Sequence, residues 1–147
     1  MLISRSRPLT PTDLPAAAAV EAPSAGLDAA ALARLATLDP TGQGRLLERV
    51  LTAFRVSADR LVPQLDAAQL SDDRPAIRLV AHTFKSSSAS IGALALSRCC
   101  AQVETAIREV APGDDLPASL NADLAALRQE LASALQAIER LLRDGPA

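Results

Sequence analysis

Near its end the chain places an apolar residue at every third or fourth position: Leu120, Leu124, Leu127, Leu131, Leu135, Ile138 and Leu142. At 3.6 residues per turn these positions share one face of a helix, with Asp, Glu, Arg and Gln on the other. An amphipathic helix of that length, from about Pro117 to Arg143, cannot remain alone in water. Its stripe has to be covered by other helices or by a second copy.

The remainder of the chain supplies the covering helices. Asp28 is placed to cap a short helix carrying Leu32, Leu35 and Leu38, which Asp39-Pro40-Thr41-Gly42 ends. A second helix is expected from about Gln43 to Leu65, with Leu47, Leu51, Phe54, Ala58, Leu61 and Leu65 along its stripe. Pro63 falls near its end and is expected to kink or terminate it. Ser71-Asp72-Asp73-Arg74-Pro75 reads as the start of a third helix running to about Ser90, with Gly92 turning the chain after it. A fourth carries Leu96, Cys100, Val103 and Ile107 and stops before Pro112-Gly113, and Asp114-Asp115 is read as the cap of the last helix. Apolar residues are mostly Ala and Leu, aromatics are nearly absent, and no segment alternates with period two. The expectation is an all-α fold: an antiparallel four-helix bundle over residues 27–143, with a short additional N-terminal helix at one end. Residues 1–26, punctuated by Pro8, Pro11, Pro15 and Pro23, read as a disordered leader or linker, and 144–147 as a C-terminal tail.

Several function classes fall away. A net charge of −2 and the lack of Trp and Tyr give no pull toward nucleic acid and few stacking platforms. Long apolar segments are interrupted by charges, so no membrane span is expected and the cytoplasm is the default location. The adjacent cysteines, Cys99 and Cys100, cannot bridge one another without strain and have no metal-ligand spacing with the single histidine. At least one of them is expected to be buried packing. Glu104, Arg108, Glu130, Glu139 and Arg140 read as solvated helix faces, and the small Ser87 and Ser88 as close packing toward the bundle.

The one histidine, His82, breaks the pattern of its helix. With Phe84 at zero on the helical wheel, Ile77, Val80, Ala81, Ser87, Ser88 and Ile91 fall within about 60° of it, whereas His82 falls at about 160°. Its outer-face neighbours are Arg78, Leu79, Lys85, Ser86 and Ala89. An imidazole exposed among small residues beside a cation admits three readings. It is an ordinary surface histidine, a general base, or a nucleophile that takes up a phosphoryl group. The general base needs an orienting carboxylate, and none lies within one turn on this face. No glycine-rich phosphate loop marks an ATP-using kinase. Phosphotransfer accounts for the neighbours. Lys85 offsets charge on a phosphoryl group, Ser86 and Ala89 leave room for an incoming protein loop, and Leu79 offers an apolar contact.

The stretch His82, Lys85, Ser86-Ser87-Ser88, Ile91-Gly92-Ala93, with Leu96 downstream, resembles the histidine-containing phosphotransfer (HPt) domain of bacterial multistep phosphorelays. The resemblance implies a four-helix bundle that carries phosphate between receiver-domain aspartates without ATP-dependent kinase activity of its own. His82 would be the phosphoacceptor, Lys85 and Ser86 would stabilise the phosphoryl group, and Arg78, Leu79, Lys85, Ser86 and Ala89 would dock the partner. Partners would be response-regulator receiver domains and a hybrid sensor histidine kinase. The protein would be a monomer with no cofactor or metal, the Mg²⁺ sitting in the receiver. One position departs from the family: the residue after the lysine is commonly Gly and here is Ser86, which is expected to alter partner preference or rate. The rival reading is a non-catalytic helical adaptor that docks a receiver or sensor kinase without transferring phosphate.

Overall fold

The computed structural model describes residues 26–144. All but the last residue of the expected leader, and residues 145–147 of the expected tail, lie outside that range. Five helices and no strand occur among the described residues: α1 (Ala29–Thr37), α2 (Leu46–Leu70), α3 (Arg74–Ser90), α4 (Leu94–Arg108) and α5 (Ser119–Asp144). The four long helices pack in a ring, α2 on α3, α3 on α4, α4 on α5 and α5 back on α2, with α1 laid against α2. Connections of a few residues between α2 and α3 and between α3 and α4 make those neighbours antiparallel.

Helix starts follow from their side chains. Asp28 caps α1, its carboxylate accepting from the Ala31 N–H at 3.0 Å, and Asp73 caps α3 by accepting from Ala76 at 3.2 Å. At α2 the cap comes from further away. Arg45 occupies the N-cap place in a left-handed conformation, φ 53°, without a capping bond. Asp39 accepts instead from Gly44 at 3.3 Å and Leu46 at 3.1 Å, so α2 begins at Leu46, later than Gln43.

Two expectations about helix ends need correction. Pro63 neither ends nor bounds α2, which continues to Leu70. The proline forfeits one backbone hydrogen bond on the exposed side of the helix, while Leu61, Leu65 and Ala68 bury their side chains on the other. Each buried leucine contributes about 1.5–3 kcal/mol, enough to hold the helix through the break. Asp114 and Asp115 do not cap the last helix, because α5 starts at Ser119 and leaves both aspartates in the exposed loop before it.

The core is aliphatic around one aromatic pair. Phe54 of α2 and Phe84 of α3 meet with ring centroids 5.9 Å apart, and Phe84 is fully buried. Ser88 is fully buried as expected and donates its hydroxyl back to the Phe84 carbonyl, whereas Ser87 is only half-buried. Cys100 is core packing, and burial pushes its thiol up to about 12. Gly92, in the turn after α3, has φ +83°, and a Cβ there would lie 2.8 Å from the Asp28 nitrogen and 2.9 Å from Ala31 Cβ. The Asp28 N–H donates to the Gly92 carbonyl at 2.7 Å, so the short helix is seated on the very turn that follows the histidine helix.

Candidate functional site

His82 stands where the helical wheel puts it, on the outer side of α3, with 57% of its side chain exposed. Arg78, Leu79, Ser86 and Ala89 are exposed on the same helix, and Lys85 is half-buried. An open depression of about 300 Å³ lies beside the imidazole, lined by Pro75, Arg78, Leu79, His82 and Glu104.

The last of these residues corrects the sequence reading. Glu104 is not a solvated side chain: only 7% of its side chain is exposed, and its carboxylate grips two groups of α3 at once. Oε2 lies 2.8 Å from His82 Nδ1, and Oε1 accepts from Lys85 Nζ at 2.6 Å. The orienting acid absent from the histidine's own helix therefore arrives from α4. A second tie fixes the two helices in register at this level, the Ser97 hydroxyl donating to the Lys85 carbonyl at 3.0 Å.

The electrostatics follow from that grip. The hydrogen bond from Lys85 holds Glu104 below the ordinary glutamate range. Burial opposes this, and the bond from His82 adds to it. An ionised carboxylate only accepts, so the ring proton of a neutral His82 resides on Nδ1 and the lone pair of Nε2 points outward. The arrangement is a nucleophilic nitrogen facing solvent, its tautomer set from behind, with an ammonium group alongside.

Glu104 could have been found in the sequence. On a wheel centred on Cys100 it lies about 40° away, inside the stripe of Leu96, Cys100, Val103 and Ile107. A carboxylate inside a buried stripe requires a cationic or hydrogen-bonding partner, and the chain's one histidine, His82, and its one lysine, Lys85, are among the candidates the sequence offers. The cysteines play no such part. Burial raises the thiol of half-buried Cys99 as well, so neither is poised as a thiolate. Among the described residues no three His, Cys, Asp or Glu side chains converge as a metal-binding set.

A helical bundle that presents one oriented, exposed imidazole at an open depression suits a carrier of a chemical group. Comparison with known proteins identifies the family. Residues 49–140 match the Hpt domain, and the chain belongs to that family. It therefore serves as a phosphotransfer intermediate in two-component signalling, a phosphocarrier that is not an independent kinase, in a family whose domains work with receiver and histidine kinase domains. The crystal structure of histidine-containing phosphotransfer protein B from Pseudomonas aeruginosa superimposes with a TM-score of 0.67 at 23% identity, covering 81% of this chain and 96% of that one. The likeness bears out the bundle fold. No curated protein matches the chain significantly. No described helix is long and apolar enough to cross a membrane.

Proposed function

We propose that His82 is the residue that accepts the phosphoryl group, on Nε2, from a receiver-domain aspartate and returns it to another receiver. The observation that carries this reading is the 2.8 Å contact of Nδ1 with Glu104, which leaves Nε2 as the outward nucleophile. The Nε2 lone pair forms the N–P bond as the P–O bond to the donor aspartate breaks, its electron pair leaving on the carboxylate oxygen. The ring becomes cationic, and its Nδ1–H remains held by Glu104. Transfer onward is the same step reversed. Lys85 neutralises charge on the phosphoryl oxygens, and the Ser86 hydroxyl, one turn from the imidazole, adds a donor that the commoner glycine lacks.

The exposed strip of Arg78, Leu79, Ser86 and Ala89 supports docking of a receiver domain, with Lys85 at its edge. The proposed partners are response-regulator receivers and a hybrid sensor kinase that act on a monomeric bundle in the cytoplasm, with residues 1–26 as leader or linker to it. The test is transfer from phosphorylated receivers to the wild type and to His82→Gln. Wild-type label that is acid-labile and base-stable, with none on His82→Gln, is the expected result. Equal labelling of both proteins would remove His82 from the role. Binding without label on the wild type would favour the adaptor.

A further inference from the structure

The residue that orients His82 also occupies the cation assigned to the phosphoryl group. Lys85 Nζ is already bonded to Glu104 Oε1 at 2.6 Å, and the same carboxylate holds Nδ1 of the ring through Oε2. Resting on His82 as the acceptor, we propose that Glu104 is a positioning residue that sets the transfer potential of the phosphohistidine: by competing with the phosphoryl oxygens for Lys85, it keeps the phosphoryl group from settling on this protein.

A phosphoryl group on Nε2 brings about two negative charges to a site that already contains one buried carboxylate. The ring, turned cationic, keeps its Nδ1–H on Oε2, so Oε1 and the phosphoryl oxygens both draw on Lys85, whose single positive charge cannot satisfy both in full. Lys85 is half-buried and so partly desolvated, while the Glu104 side chain, 7% exposed, has little access to water that would replace the ammonium. Any shift of Lys85 toward phosphate leaves an under-compensated carboxylate in the interior, a cost that rises only in the phosphorylated state. In the unphosphorylated state the same three groups are mutually satisfied. A carrier that must release its cargo as readily as it accepts it benefits from such a bias, since a deep well on His82 would stall the relay.

The competition predicts a particular coupling. Removing the Glu104 charge frees Lys85 for the phosphoryl oxygens, so Glu104→Gln should lengthen the phosphohistidine half-life about fivefold and shift the receiver–carrier equilibrium toward the carrier to a similar extent. In a Lys85→Ala background the same substitution should change the half-life by less than about twofold, because the contested cation is gone. A merely structural role for Glu104 would give no such dependence on Lys85. The measurement is the decay of isolated, phosphorylated protein for the wild type, both single variants and the double variant, with helicity checked by circular dichroism. Should Glu104→Gln fail to fold, Glu104→Met fills the buried space without charge and carries the same expectation. A half-life unchanged or shortened by Glu104→Gln, or lengthened equally with and without Lys85, would overturn the competition. Failure of the underlying reading looks different, as label absent from the wild type or retained by His82→Gln.

Discussion

α3 has two working sides, and they are built on opposite terms. Toward α2 it buries Phe84 against Phe54 among aliphatic side chains, a seam held by area removed from water. Toward α4, at His82 and Lys85, the seam contains a buried carboxylate. Replacing such a group by an apolar residue is often neutral or stabilising, so stability alone is a weak reason for its presence. The aromatic seam stabilises the bundle, and the polar seam holds the ring proton of a neutral, exposed imidazole on Nδ1. Because both seams belong to one helix, the position of the outward imidazole nitrogen is set by the core while its hydrogen bonding is set separately.

If that division holds, function and stability should come apart under mutation. The largest effect is expected at His82, where the Gln variant should lose all acid-labile phosphorylation and keep its melting temperature to within a few degrees, since the side chain is more exposed than buried. A variant that unfolds would place His82 in the stabilising set and break the comparison. The converse case is Phe84→Ala, which empties a fully buried aromatic site and should cost about 3–5 kcal/mol in denaturant unfolding. Its folded fraction should still take up phosphate at His82.

A smaller effect sharpens the role of α1. Gly92→Ala forces a side chain into a left-handed conformation and against the Asp28 backbone, and should cost about 1–3 kcal/mol, read from the urea midpoint. Labelling of the folded protein should persist, because the turn supports the end of α3 and not the Glu104 contacts. The glycine of the family-like motif is thereby explained in this chain by packing.

The bundle was legible in the sequence because each long helix repeats its apolar residues often enough for one face to dominate. The outward direction of His82 was legible for the same reason, since Phe84, two positions away, had to point in. The end of α2 was misread because Pro63 is a strong local signal, whereas the burial of Leu65 and Ala68 beyond it is a tertiary fact. The cap of α2 was hidden because Asp39 acts across a turn and not from the position before the helix. Glu104 was hidden because the acid stands on α4 and not on the histidine's own helix. Its partners lie 22 and 19 residues away in sequence, brought together only when α3 and α4 pack.

The smallest expected effect tests whether the polar seam carries any stability at all. Glu104 is held below its ordinary value of 4.5, chiefly by the bond from Lys85. A carboxyl that is easier to ionise when folded stabilises the fold above the unfolded value, and that contribution disappears as the pH falls through the folded one. The advantage of the wild type over Glu104→Gln should therefore be full near neutral pH and shrink as the pH drops below 4.5. With Lys85 about a third exposed, solvent screening keeps the contribution to roughly 1 kcal/mol or less, a gap of a few degrees in melting temperature. Thermal melts of both proteins from pH 7 to pH 3 would register the closing gap. A gap that is constant across the range would mean that the ionisation of Glu104 does not contribute to folding. A variant more stable than the wild type at neutral pH would show that the carboxylate is kept for the chemistry of His82 at the expense of the fold.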